Sequence, residues 1–203
     1  MCKTYVYYSV IPEGIGDKHL YPEGRMSEIN GCKSDKARRE KYWAWILLEH
    51  ALKDSFNLDI DNLRFAKNDN GKWESDKAFF SVSHSDKLVA VAVSDSAVGV
   101  DIEREAELRA GVETKILTDG EMSEYNELPS AMRALYVIKK WCQKEAIFKR
   151  GNQKAFLPRT VEAKSYKTEV FDLAIDGEKY TLAVASDAEN ILKEICIEQQ
   201  KRG

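Results

Sequence analysis

Two segments far apart in this 203-residue chain read almost alike. Leu88-Val89-Ala90-Val91-Ala92-Val93-Ser94-Asp95 is echoed by Tyr180-Thr181-Leu182-Ala183-Val184-Ala185-Ser186-Asp187. Each is a strand-like run that ends in Ser-Asp and follows a long helical pattern by a few tens of residues. Alternating Val and Ala is common in strands, so the likeness alone is thin support. It hints at two related halves that divide near residue 97, over 1–97 and 98–203.

The local patterns fill in this outline. Residues 4–10 read as a strand, and the Pro- and Gly-rich stretch 11–33 reads mostly as loop. A helix begins near Ser34 or Asp35, both good caps, with Trp45, Leu48, Leu52 and Phe56 as its buried stripe. Lys41 lies in line with that stripe one turn before Trp45, and Arg38 lies a turn earlier. Asn68-Asp69-Asn70-Gly71 is a turn. Strands over 79–83 and 88–94 flank a short turn that holds His84. Residues 130–150 form a second long helix, 169–175 and 179–186 a hairpin around Asp176-Gly177, and 187–200 a short terminal helix.

Composition limits the functions open to the chain. Apolar residues make up 43%, enough for a core, and charged residues 32% with both signs mixed. The net charge of −3 argues against a dedicated nucleic-acid binder. Cys2, Cys32, Cys142 and Cys196 form no C-x-x-C pair, and dispersed thiols suit a reducing, cytoplasmic setting. No secretory leader and no apolar run approaching a membrane span of ~20 residues is read. P-loop, Rossmann, nucleophile-elbow and H-E-x-x-H patterns are all absent.

Three stretches carry chemistry. In Gly99-Val100-Asp101-Ile102-Glu103 the apolar residues face one side of a strand and the two acids the other, ~6.5–7 Å apart along it. A lone D-x-E is usually a solvated strand face. Glu145 changes that weighting. On the second helix Trp141, Glu145 and Lys149 recur every fourth residue and share a face. Two acids from a strand and one from a helix suit Mg²⁺, which takes a few carboxylates and leaves room for phosphate oxygens. The plainer reading of Glu145 and Lys149 is a surface ion pair, worth a few tenths of a kcal/mol. His84, between Ser83 and Ser85, is either a surface residue or a phosphate contact. Arg38, Arg39, Lys41 and Lys72 are a solvated basic set or an anion site. Cations at a helix start oppose its dipole, a cost that a bound anion would offset.

Four motifs in order resemble the 4′-phosphopantetheinyl transferases of the larger, surfactin-synthetase-activating (Sfp-like) type. They are Gly71-Lys72-Trp73, Phe80 to Ser85, Gly99 to Glu103, and Trp141-Cys142-Gln143-Lys144-Glu145 to Lys149. The resemblance covers residues 71–149 well and the first helix weakly. It implies transfer of the phosphopantetheine arm of coenzyme A to a serine of an apo acyl or peptidyl carrier protein, with release of adenosine 3′,5′-bisphosphate. It implies an α+β fold of two similar α/β halves, each with a small antiparallel sheet and a long helix, related by a pseudo-twofold with a coenzyme A cleft between them. Carried over by position, Asp101, Glu103 and Glu145 hold Mg²⁺ (or Mn²⁺). Lys149 contacts the pyrophosphate, with Lys144 at the preceding motif position. Ser83 and His84 hold the 3′-phosphate, and Arg38, Arg39 or Lys41 supplies its basic partner. Lys72 also belongs to the coenzyme A set. Glu145 and Lys149 are the catalytic pair. A monomer suffices, with no nucleic acid or membrane partner.

The chain departs from the family pattern at Trp73, in place of proline, at Ser81, in place of asparagine, and at Gly151-Asn152-Gln153-Lys154, in place of a glycine-rich G-x-G-L. The competing readings are a metal-dependent phosphodiesterase or nuclease, and a non-catalytic carrier-protein or nucleotide-binding module. The acidic balance weighs against the first. The retention of all three acids and Lys149 weighs against the second.

Overall fold

A strand, β1 (Lys3–Val10), opens the chain, with its alternate side chains sent to two different cores. The computed structural model describes residues 2–151, 153–195 and 197. Helix α1 (Glu23–Asn30) follows, and then α2 (Asp35–Phe56), whose cap Ser34 accepts a hydrogen bond from the Ala37 amide at 3.2 Å. A small ribbon of β2 (Phe65–Lys67) and β3 (Trp73–Ser75) leads to β4 (Phe79–Ser85) and β5 (Leu88–Ser94). The second half holds β6 (Gly99–Arg104), α3 (Glu113–Ile116), α4 (Asp119–Glu127) and α5 (Ser130–Arg150). It closes with β7 (Thr168–Ile175), β8 (Glu178–Ala185) and β9 (Glu189–Glu194).

Two sheets carry the architecture, one ordered β4-β5-β1-β9 and the other β6-β8-β7. Strand periodicity explains how they stack, because alternate residues face opposite sides. On the first sheet Tyr7, Val89, Val91 and Val93 pack under α2, against Leu47, Leu48 and Ala51. Its other face, with Val6, Leu88, Ala90 and Ala92, meets Val100, Ile102, Leu182 and Val184 of the second sheet. The far face of that sheet, Ala183 and Ala185, lies under Cys142, Ala146 and Ile147 of α5. The layers therefore run helix, sheet, sheet, helix. The β7–β8 hairpin turns at Asp176 and Gly177, both at positive φ (51° and 79°), the geometry a two-residue hairpin turn favours.

The structure corrects three local expectations. Residues 11–33 are not all loop, because α1 buries Ile29 and Arg25 despite Pro22 and Gly24. His84 lies inside β4, paired across from Val89, and the turn is Asp86-Lys87. The tail is a strand over 189–194, not a helix, and 196 and 198–200 of the expected helix lie outside the described residues. β9 pairs in parallel with β1, from Lys3 opposite Glu189 to Tyr8 opposite Glu194. A free sheet edge offers unpaired backbone groups, and pairing there satisfies both strands. The chain thus crosses back over the 97/98 division to complete the first sheet. Among the described residues no helix is long and apolar enough to cross a membrane, and Cys2, Cys32 and Cys142 are free thiols.

Candidate active site at the seam between the sheets

The site forms where α5 lies on β6. Val100 and Ile102 point into the core between the sheets, which turns Asp101 and Glu103 toward the helix. Trp141 Nε1 donates to Glu103 Oε1 at 3.1 Å, and Cys142 Sγ donates to the Asp101 carbonyl at 3.2 Å. One and two turns further along α5 come Glu145 and Lys149. Lys149 Nζ donates to Asp101 Oδ1 at 2.7 Å and to Ser83 Oγ at 3.0 Å. The helix-face reading of Trp141, Glu145 and Lys149 is therefore what the structure builds.

The acids feel one another. Burial pushes the Glu145 carboxyl above the ordinary value; Lys149 pulls it down, and Asp101 and Glu103 push it up again. Glu103 is raised first by burial and then by Asp101, against the hydrogen bonds from Ser85 and Trp141. Asp101 Oδ2 is buried without a partner. A polar oxygen in that state is costly unless something binds it.

These features bear on whether a divalent cation fits. Clustered acids, with the Glu103 and Glu145 carboxyls raised by desolvation and by neighbouring acids and one orphaned oxygen on Asp101, have the chemistry of a hard-cation site. The acids do not close around a common point: among the described residues no three His, Cys, Asp or Glu side chains stand as a ready metal cluster. Lys149 supplies the positive charge at Asp101 instead.

The expected phosphate contacts come out unevenly. Lys72 reaches the site, its Nζ donating to the Lys149 carbonyl at 2.6 Å, and burial pushes its ammonium below the ordinary value. A cavity of about 590 Å³ opens beside it, lined by Lys72, Lys149, Phe148 and Lys154 among others. Lys154 is a basic residue the motif comparison passed over, since it stood where a departure from the pattern was noted. His84 sits on the same strand as Ser83, with Nδ1 3.5 Å from Glu40 Oε2 of α2. Burial pushes its imidazole below the ordinary value while Glu40 pulls it up. Glu40 is itself buried and paired with Lys36 at 3.7 Å. Neither residue was singled out in the sequence, although both lie on one face of α2 at i and i+4.

The three cations favoured from α2 lie elsewhere in the contacts found. Arg38 pairs with Asp35 at 3.2 Å, and Lys41 offers its carbonyl to Arg25. No contact brings Arg38, Arg39 or Lys41 to His84 among the described residues; Lys36 is the α2 cation that acts on it.

Two of the expected coenzyme A contacts, Lys144 and Ser83, are engaged with protein groups in this structure. Lys144 is fully buried and turned away from the acids, with Nζ 2.5 Å from Glu121 Oε2 and donating to the Ile116 and Pro158 carbonyls. It sits about 100° around the helix from Glu145, so adjacency in the motif does not put it on the same face. Ser83 is buried, and its hydroxyl is already used. It donates to Asp101 Oδ1 at 2.7 Å and accepts from Lys149 Nζ and the Ile102 amide. A hydroxyl offers one donor and two acceptor positions, so no donor is left for a phosphate.

Comparisons with known proteins agree on one family. A family model for the 4′-phosphopantetheinyl transferase superfamily matches residues 97–159, the segment that contains Asp101, Glu103, Glu145, Lys149 and Lys154. The chain is 26% identical over 107 residues to the 4′-phosphopantetheinyl transferase psf-1 of Bacillus pumilus, covering 51% of this chain and 46% of that protein. It is 27% identical over 114 residues to the transferase gsp of Aneurinibacillus migulanus, covering 56% and 48%. It is 24% identical over 144 residues to the transferase Sfp of Bacillus subtilis (strain 168), covering 66% and 64%. The match spans about half the length of the first two relatives. The chain is similar to Sfp-like 4′-phosphopantetheinyl transferases, and the segment matched by the family model includes the acids and Lys149.

Proposed function

We propose that this protein transfers the 4′-phosphopantetheine arm of coenzyme A to a serine hydroxyl of an apo carrier protein, releasing adenosine 3′,5′-bisphosphate. The observation that carries the reading is the meeting of β6 and α5. It gathers three acids and a lysine, all within the segment similar to the transferases, beside a cavity lined by further lysines. The helix–sheet–sheet–helix layering supports two similar halves related by a pseudo-twofold, and the cavity lined by Lys72 of the first half and Lys149 of the second would take coenzyme A between them.

Asp101, Glu103 and Glu145 would hold Mg²⁺ or Mn²⁺, and the bound cation would supply Lewis-acid neutralisation of charge at the pyrophosphate. The residues divide the remaining work. Lys72, Lys149 and Lys154 draw the pyrophosphate into the cavity. Lys149 then exchanges its bond to Asp101 for one to phosphate, which frees the Asp101 carboxylate. His84, with Glu40 behind it, faces the 3′-phosphate. The carrier serine oxygen attacks the β-phosphorus, and its proton passes to Glu145. Trp141 keeps Glu103 in place and walls the site. The P–O bond to the α-phosphate breaks, and the lysines steady the charge that develops on the leaving bisphosphate.

Intact-mass spectrometry of an apo carrier protein incubated with this protein, coenzyme A and Mg²⁺ tests the proposal. A gain of one phosphopantetheine group is expected, lost with a chelator and restored by Mg²⁺ or Mn²⁺. Glu145→Gln should lower kcat by about 10²–10⁴-fold, the usual contribution of a positioned base. An unmodified carrier across fatty-acid, polyketide and peptide-synthetase types, or full activity in Asp101→Ala, would overturn the reading.

A further inference from the structure

Both strands at the seam are sheet edges. β4 ends the four-stranded sheet and β6 ends the three-stranded one. The outer edge of β6 presents the amides of Val100, Ile102 and Arg104, and among the described residues no strand pairs with them. Three serine hydroxyls from β4 take the place of a strand. Ser81 Oγ accepts from Val100 N at 3.1 Å, Ser83 Oγ from Ile102 N at 3.4 Å, and Ser85 Oγ from Arg104 N at 3.0 Å. The offset is 19 residues at every rung, so β4 and β6 run in the same direction and in step. The serines lie on the β4 face away from α2, opposite Ala92, Ala90 and Leu88.

A hydroxyl that accepts an amide still has its own proton to give. Two rungs give it to the acids of the next-lower β6 position. Ser83 donates to Asp101 Oδ1 at 2.7 Å, and Ser85 donates to Glu103 Oε2 at 3.1 Å. Ser81 makes the same amide contact and touches no carboxylate among the hydrogen bonds found. The two acids sit on a strand where each has several rotamers open. Each is fixed from two directions: Asp101 by Ser83 and Lys149, and Glu103 by Ser85 and Trp141.

We propose that Ser83 and Ser85 are positioning residues. Their hydroxyls couple the register of β4 on β6 to the orientation of the Asp101 and Glu103 carboxylates, and so set the spacing of the acid pair. Ser81 is the structural rung alone. The seam between the sheets and the acid pair are then one device, and a shift of β4 along β6 would be felt at the carboxylates. This reading of the pair as cation ligands rests on the function proposed above; the orientation itself does not.

The chain supplies its own control. Ser81→Ala, Ser83→Ala and Ser85→Ala each remove one acceptor from β6, so all three should lower the melting temperature, Ser83→Ala the most because its hydroxyl also bonds Asp101 and Lys149. Only the last two remove a donor to an acid. Mn²⁺ affinity of the apo protein, measured by electron paramagnetic resonance without coenzyme A or carrier, should weaken about tenfold or more in Ser85→Ala and Ser83→Ala, as for other residues that orient metal ligands. Ser81→Ala should stay near wild type, and Ser85→Thr, which keeps the hydroxyl, should recover most of the loss. In the transfer assay Ser85→Ala should lower kcat and leave the coenzyme A KM in place. A crystal structure of metal-free Ser85→Ala should show the Glu103 carboxylate turned from its present orientation. Equal weakening in Ser81→Ala, or an unmoved Glu103 in Ser85→Ala, overturns the proposal. Should Ser83→Ala fail to fold, the Ser85 pair of variants decides alone. Should wild type bind Mn²⁺ and orient Glu103 through Ser85 yet modify no carrier, the proposed function fails and the positioning role stands.

Discussion

Lys144 shows how one residue can be read correctly as part of a pattern and wrongly as part of a site. Its ammonium and the Glu121 carboxylate are both fully buried, 2.5 Å apart. Burial pushes the Lys144 ammonium below its ordinary value, and Glu121 pulls it back up. Taking one partner away leaves a charge without compensation. Lys144→Met should therefore cost ~3–5 kcal/mol in urea denaturation, whereas Lys144→Met with Glu121→Leu should recover most of it. Wild-type stability in the single variant would sink the buried-pair reading. Lys140 and Lys144 stand at i and i+4 and both reach Glu121, a convergence that only the packing of α4 on α5 creates. Asp101, Glu103, Glu145 and Lys149 were legible because a strand of period two and a helix of period 3.6 each have one face to offer. Glu40 was not legible, since a glutamate on a charged helix start has no feature that announces a neighbour such as His84.

Elements meet through backbone as well as side chains, and the contact of α5 with β6 depends on Gly99. A Cβ at that position would fall on the Ala146 carbonyl oxygen and 2.6 Å from the Arg150 amide nitrogen. Both are helix backbone and cannot yield as a side-chain tip can. Gly99→Ala should push α5 off the strand at a cost of about 1–3 kcal/mol or more, read from urea denaturation, and should loosen the Lys149–Asp101 contact. A variant as stable as wild type would mean the helix has room to move. Strand and helix positions were mostly readable from periodicity, including the Ser34 cap and the Asp176-Gly177 turn. β9 was not. Ile191-Leu192-Lys193-Glu194 suits a helix as well as a strand, and the free edge of β1 decided between them.

At the scale of the whole molecule, the two halves share structure that ties their unfolding together. Val6 and Leu88 of the first sheet lie in one core with Val100 and Leu182 of the second, and β9 returns from the second half to pair with β1. One cooperative transition is expected in urea, with Trp43, Trp45 and Trp73 reporting one half, Trp141 the other, and coincident midpoints in single-tryptophan variants. Separate midpoints would show two independent units. The amino-acid sequence by itself determined the α+β class, the long helices, the face of β6 that carries the acids and the face of α5 that carries Glu145 and Lys149. These follow from residue spacing within one element, which the chain encodes locally. Tertiary structure alone decided the serine rungs between β4 and β6, the burial of Lys144, the pairing of Glu40 with His84 and the return of β9. Each of these depends on which edge, face or charge a distant segment brings into contact, and no periodicity within a single element records that.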